Sequence, residues 1–193
     1  MAVDQETQAP AVTATAAGWR PGDRRPDPAA MVRVDQAGEY GATHIYAGQL
    51  AVLDGRRPAA RIIARMAAQE ARHLSRFDAM MAERSVRPTL LQPVWSVAGH
   101  ALGAATALMS PEAAMACTAA IETEIDRHYT AQLEALGGDD EALAEAIGTF
   151  RAEEIEHRDS AIAAGAERAV GYPLLSALIR AGCRAAIALS KRI

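Results

Sequence analysis

Glutamate followed three residues later by histidine occurs twice in this chain, as Glu70-Ala71-Arg72-His73 and Glu154-Ile155-Glu156-His157. Residues three apart on a helix share a face, so each pair can offer a carboxylate and an imidazole to one point. A single such pair would ordinarily be a solvated helix face. Here Glu70 aligns with Met66, Ala67, Leu74 and Phe77, and Glu154 with Ile147, Phe150 and Ala161. Both pairs therefore project to the apolar side of their helices, where an ionised carboxylate is costly unless it is paired or binds a cation.

Each pair has a lone carboxylate upstream: Glu39 lies 31 residues before Glu70, and Glu122 lies 32 before Glu154. Glu39 aligns with Val32, Ala42, Thr43 and Tyr46; Glu122 aligns with Met115, Thr118, Ala119, Ile125 and Tyr129. The order Glu … Glu-x-x-His thus repeats with an offset of 83 residues for the single glutamate and 84 for the pairs. One glutamate from each of two helices, with Glu-x-x-His from each of two others, is the ligand set of ferritin-like di-metal bundles. Four carboxylates neutralise two divalent ions, and two imidazoles complete the set while leaving positions open. Carboxylate and imidazole suit iron or manganese, and the lack of thiolates in the set argues against an iron–sulfur cluster. Glu124, Glu153 and Glu156 are the competing carboxylates. Glu124 lies about 200° around the helix from Glu122, and the flanking Ile121 and Ile125 favour Glu122; the other two read as solvated or ion-paired.

The elements that must position these residues are set by proline, glycine and capping residues. Asp27-Pro28 opens a helix that runs to about Leu53, and Pro58 starts a second that runs to about Glu83. Ser110-Pro111 opens a third, ended by Gly137-Gly138; Asp139 or Asp140 caps a fourth that reaches about Arg168. Four helices of about 25 residues, each roughly 37 Å long, form two hairpins and predict an antiparallel four-helix bundle. Two apolar segments stand outside it, residues 94–109, whose only ionisable side chain is His100, and 173–193, interrupted by Arg180 and Arg184. Neither reads as a transmembrane span. Both suit a membrane interface, with basic residues at the headgroups; plain packing helices are the bland alternative.

Composition agrees with an all-α chain: 193 residues, half of them apolar but only 4% aromatic, and rich in alanine. A net charge of -4 argues against nucleic-acid binding. Cys117 and Cys183 match no metal spacing and read as buried thiols in a reducing compartment. Residues 1–26, with Pro10, Pro21 and Pro26, read as a disordered tail before a single domain over 27–193. The tail has no signal-peptide run, and Asp4 and Glu6 are unlike a transit peptide, so a bacterial cytoplasmic setting is expected.

Several stretches resemble the demethoxyubiquinone hydroxylase family. They are Arg33-Val34-Asp35-Gln36-Ala37-Gly38-Glu39-Tyr40-Gly41-Ala42, Ile45 to Gln49, Glu70 to Leu74, Ala116-Cys117-Thr118, His128-Tyr129, Phe150 to His157, and Ala181-Gly182-Cys183-Arg184. The resemblance runs in order over about residues 28–193. It implies an O₂-dependent monooxygenase of ubiquinone biosynthesis that hydroxylates the ring of a polyprenylated demethoxyubiquinol. It implies two iron ions on Glu39, Glu70, His73, Glu122, Glu154 and His157, with Glu70 and Glu154 bridging; the electron source, the quinol itself, NADH or a reductase, stays open. A membrane-held substrate implies a peripheral enzyme on the cytoplasmic face of the bacterial inner membrane, seated through 94–109 and 173–193. The setting leaves room for oligomers and for a lipid-binding accessory protein. Tyr129 and His128 are expected as partners of the ligands or in electron relay, against a core tyrosine and a solvent-facing histidine. Gly38, Gly41 and Gly48 mark either close helix approach or room for the quinone ring.

Three competing readings remain at this stage: an iron-storage or peroxide-handling ferritin-like protein, a tRNA-directed hydroxylase, and a non-enzymatic membrane scaffold. The apolar segments disfavour a soluble storage shell, and the acidic balance disfavours tRNA.

Overall fold

The computed structural model describes residues 26–192. The expected disordered stretch therefore lies, except for Pro26, outside the described residues. Six helices follow in order: α1 Pro28–Val52, α2 Pro58–Glu83, α3 Gln92–Met109, α4 Pro111–Leu136, α5 Glu141–Ala163 and α6 Tyr172–Ser190. No strand occurs among the described residues. The long helices α1, α2, α4 and α5 are the four expected of the bundle, and the two apolar segments form α3 and α6.

The starts are set by the capping chemistry visible in the sequence. Asp27 accepts a hydrogen bond from the Ala30 amide at 3.0 Å, Ser110 from Ala113 at 3.0 Å and Asp140 from Leu143 at 3.1 Å. Gly137, at φ 53°, ends α4 in the left-handed conformation. One boundary differs from expectation. The fourth long helix stops at Ala163 rather than about Arg168, because Gly165 turns left-handed at φ 106° and a 3₁₀ turn, Ala166–Arg168, follows. The Arg168 guanidinium occupies the space a Cβ at Gly165 would take.

Two apolar clusters fill the bundle. One gathers Val32, Phe77, Met80, Leu136, Leu143 and Ile147; the other gathers Tyr46, Ile63, Met66, Met115 and Ala161. The two groups occupy opposite halves of the long helices. The six chemistry-bearing residues lie between them, near mid-helix. Apolar packing on both sides fixes the helices around a polar centre.

Helices α3 and α6 pack outside the bundle, chiefly on α1 and α4. The α1–α3 crossing depends on glycine. A Cβ on Gly48 would overlap the His100 carbonyl, and one on Gly103 would overlap the Ile45 carbonyl. Gly38 and Gly41 are different: a Cβ there meets nothing within 4 Å. The glycines of α1 thus divide between the two roles considered above, Gly48 for close approach and Gly38 with Gly41 for open space. Outward, α3 and α6 expose Val97 (71%), Leu108, Leu174 (68%) and Leu178. By length and composition α6 could cross a membrane. Its Arg180 and Arg184, however, pair mid-helix with Glu124 of α4 at 2.7 and 2.8 Å, which ties it along the bundle.

Gly103→Ala is expected to lower stability by about 1–3 kcal/mol or prevent folding, because backbone must move. Gly38→Ala is expected to be neutral or to gain about 0.5–1 kcal/mol through helix propensity. Thermal denaturation of the two variants checks both; equal effects would contradict the glycine-dependent crossing.

Candidate metal centre

All six residues singled out by spacing converge in the interior. Ligand atoms of Glu39, Glu70, His73 and Glu154 lie within 4.8 Å of one another, as do those of Glu70, Glu122, Glu154 and His157. Glu70 and Glu154 belong to both groups. Two adjoining groups that could each hold a cation therefore share two carboxylates.

The cluster is fully desolvated, with Glu39, Glu70, His73, Glu122, Glu154 and His157 all buried. Yet Glu39 Oε2, both Glu70 oxygens, Glu122 Oε2, Glu154 Oε1 and His73 Nδ1 have no hydrogen-bond partner. Buried polar atoms are rarely left so, since each costs about 1–3 kcal/mol. His73 Nδ1 lies 3.0 Å from Glu154 Oε1 and 3.6 Å from Glu39 Oε2, close but not aligned for a hydrogen bond. Converging, unsatisfied donors of this chemical type fit divalent cations.

Surrounding groups aim the ligand atoms inward. His73 Nε2 meets Glu153 Oε2 at 2.7 Å, and Glu153 also accepts from Arg72 at 3.3 Å. His157 Nε2 meets Gln69 Oε1 at 3.1 Å. Each imidazole is thereby held from outside with Nδ1 facing the centre, an arrangement common around metal-bound histidine. The Tyr46 hydroxyl donates to Glu122 Oε1 at 2.5 Å, and the Tyr129 hydroxyl donates to Glu39 Oε1. The two lone glutamates are thus pinned by tyrosines from facing helices.

Tyr129 stands beside the cluster, through Glu39 rather than through Glu122 on its own helix. His128 neither reaches the ligands nor lies open to solvent; it pairs with buried Asp35 at 3.1 Å. Glu124 points away from the centre and is held by Arg180 and Arg184. Glu156 is exposed. Sequence reasoning missed the roles of Tyr46, Gln69, Asp35 and Glu153. Tyr46 had a signal, since it was already aligned with Glu39. Gln69 and Glu153 had none, because they act between helices.

The electrostatics follow from burial. Burial first, then the charge of Glu154, raise the Glu70 and Glu122 carboxyls well above the usual range. Burial would raise Glu154 too, but His157 and His73 beside it bring it to about 2. Burial works against protonated His73, and Glu154 and Glu39 outweigh it, raising its pKa to about 10.

A cavity of about 530 Å³ opens beside the cluster between α1, α3, α4 and α6. Its walls are mostly apolar, with Ile45, Leu102, Ile121, Leu175 and Ile179 among them, and Gly38 and Gly41 give it room. Glu39 and Tyr129 lie in its lining, so it reaches the cluster.

Helical architecture and donor set together define a protein of the ferritin-like carboxylate-bundle class. A family model described as ubiquinone biosynthesis protein COQ7 matches residues 27–190. The 3-demethoxyubiquinol 3-hydroxylase of Rhodospirillum rubrum is 52% identical over 183 residues, 93% of this chain and 85% of that protein. The mitochondrial NADPH-dependent 3-demethoxyubiquinone 3-hydroxylases of Rattus norvegicus and Homo sapiens are 51% and 49% identical, each covering 84% of this chain and 76% of their own length. The chain belongs to the COQ7 family.

The metal-stripped protein is expected to lose stability as pH rises from 6 to 9.5. Glu70, Glu122 and His73 bind their protons more tightly folded than unfolded. Their contribution is present below the unfolded values of 4.5 and 6.5 and is lost as pH climbs through the folded ones. Each such proton weighs up to about 1.4 kcal/mol per pH unit. Thermal melts across this range check it, and Glu122→Gln should flatten the slope; a rising or flat profile in the parent would contradict it.

Proposed function

We propose that this protein hydroxylates the ring of a prenylated demethoxyubiquinol in ubiquinone biosynthesis, using O₂ and two iron ions. The observation that carries the reading is a buried set of four carboxylates and two imidazoles, with one or more atoms of each carboxylate and His73 Nδ1 unsatisfied, beside an apolar cavity. Family membership supplies the pathway, and the names of the relatives supply the ring chemistry.

The protein is a hydroxylase of ubiquinone biosynthesis, and the donor set fits metal. Glu39, His73 and the shared Glu70 and Glu154 would hold one ion; Glu122, His157 and the same shared pair would hold the other. Two iron ions bound there would supply the activation of O₂. Overall, one ring C–H, O₂, two electrons and two protons become C–OH and water. The rat and human relatives are named for NADPH; NADPH, NADH or the quinol itself are the reductants in view here.

The chain's own residues do the rest. Tyr46 and Tyr129 fix Glu122 and Glu39, while Glu153 and Gln69 fix the imidazoles, so the donors are arranged before any ion arrives. The apolar walls exclude water and accept the ring with the start of its prenyl chain. The exposed leucines and valines of α3 and α6 flank this cavity and suit shallow insertion in a membrane interface. A substrate held in the bilayer would then enter ring first, its prenyl tail trailing in the lipid. These features support a peripheral seat on the membrane, on the cytoplasmic face in a bacterium. A lipid-binding accessory protein and self-association are compatible with the same exposed surface. Storage of iron and action on tRNA lose their ground, since the relatives are named as hydroxylases of this pathway.

The purified protein is expected to hold two iron ions per chain. Glu154→Ala, which removes a shared ligand, should lose both, whereas Glu39→Ala should retain more than Glu154→Ala. Metal analysis with circular dichroism to confirm folding checks this; full iron in Glu154→Ala would refute the shared site. Cells lacking the protein are expected to accumulate the demethoxy quinone and lose the mature one, as read by quinone extraction. Unchanged quinones would refute the proposed activity.

A further inference from the structure

The repeat that relates the ligands extends to the groups that hold them, and it fails at one position. Offsets of 83 and 84 residues pair Glu39 with Glu122, Tyr46 with Tyr129, Glu70 with Glu154 and His73 with His157. These pairs do matching work in the structure. Each lone glutamate takes a tyrosine hydroxyl, Glu122 from Tyr46 and Glu39 from Tyr129. Each group of converging donors has three carboxylates and one imidazole. The 84-residue offset also relates Gln69 to Glu153. Each stands one residue before a shared glutamate and reaches the histidine of the opposite half. There the two halves differ by a full charge.

That difference bears on how strongly each imidazole can bind a cation. With Nδ1 given to an ion, the ring proton is on Nε2 and is donated outward. His73 Nε2 then donates to a carboxylate oxygen of Glu153 at 2.7 Å, and His157 Nε2 to the amide oxygen of Gln69 at 3.1 Å. Hydrogen bonds to an ionised acceptor are shorter and roughly twice as strong as neutral ones. A carboxylate behind the ring pulls on the Nε2 proton and makes Nδ1 the better donor. Arg72 offsets the Glu153 charge only in part, because it lies 3.3 Å away and is 62% exposed, where an ion pair is weak. The His73 ring is also stacked on Phe150, with centroids 4.1 Å apart, which fixes its plane.

We propose that the two cation sites are unequal: Glu153 makes the His73 site the tighter and the first to fill, and the neutral Gln69 leaves the His157 site the weaker. This rests on the two-metal reading above and adds the order of filling and the residue that sets it. Glu153 is a positioning residue, because it acts through His73 and touches no ion itself. The negative charge it brings also favours the more oxidised state of an ion at His73.

The test is metal binding, separate from turnover. Full chains with one site each remove the repulsion that a second cation always meets. His157→Ala keeps the His73 site and His73→Ala keeps the His157 site; each is stripped of metal and titrated with zinc against a competing chelator. The His157→Ala chain should hold zinc about tenfold or more tightly than the His73→Ala chain. Adding Glu153→Gln, which keeps the shape and removes the charge, should cost the first chain about 10–100-fold and change the second little. Adding Gln69→Glu should tighten the second chain by about tenfold. In the iron-loaded parent, Glu153→Gln should raise one midpoint potential and leave the other, a shift that lost packing alone would not give. If the single-site chains do not fold, two-step zinc titration of the parent carries the test, its steps drawing together in Glu153→Gln and in Gln69→Glu. Equal affinities at the two sites, or a Glu153→Gln loss shared by both, would overturn this inference and leave the two-metal reading standing. Zinc held by neither folded chain would refute the metal centre, and this inference with it.

Discussion

Four carboxylates share one water-free volume between two apolar clusters, and the rest of the structure answers to that constraint. Like charges at this separation cannot all ionise without counter-charge. In the protein alone the conflict shows as Glu70 and Glu122 carboxyls raised well above the usual range, while Glu154 is set against His73 and His157. Two divalent cations would resolve it by supplying the missing counter-charge. The fold therefore spends stability on a centre that only an added positive charge completes, the usual conflict between a stable core and a working site.

Such a centre would relax by rotating its carboxylates toward water unless they were restrained. The restraint comes in two ranks. Apolar side chains on both sides, Phe77 and Ile147 in one cluster and Ile63 and Met115 in the other, close the routes along the bundle axis. Tyr46, Tyr129, Glu153 and Gln69 then hold individual ligands by hydrogen bonds from other helices. Neither rank suffices alone. Packing sets helix positions, whereas the hydrogen bonds choose which oxygen or nitrogen looks inward.

How much of this the sequence disclosed follows from the range of each interaction. Helix starts were legible because Asp27, Ser110 and Asp140 cap within three residues of themselves. The ligand positions were legible because glutamate and histidine interrupt apolar stripes at a repeated spacing. The end of α5 was less so, since the left-handed turn at Gly165 competes with good helix formers after it. Glu153 illustrates the remaining gap. In sequence it is one more acidic residue on a charged helix, yet it holds His73 across to α2. Asp35 and His128 are 93 residues apart, and only the packing of α1 on α4 makes them a pair.

The outer helices complete the logic of access. An apolar cavity open to water would be flooded or would expose the centre, and α3 and α6 prevent this by covering the α1–α4 face. Their attachments differ in kind. Helix α3 is locked by backbone contact at Gly48, Gly99 and Gly103, leaving little freedom to move. Helix α6 is held by Arg180 and Arg184 on one buried carboxylate, Glu124, and by the Trp95–Ser190 hydrogen bond at its far end. Polar fastenings on an otherwise apolar helix can exchange with water or headgroups in a way that interlocked backbones cannot. The two walls of the cavity are therefore held differently, α3 by close backbone contact and α6 by ion pairs together with the packing of Ile179 and Leu175. In the proposed membrane seat, the apolar surface on both would offer a lipid-soluble ring a route from bilayer to centre.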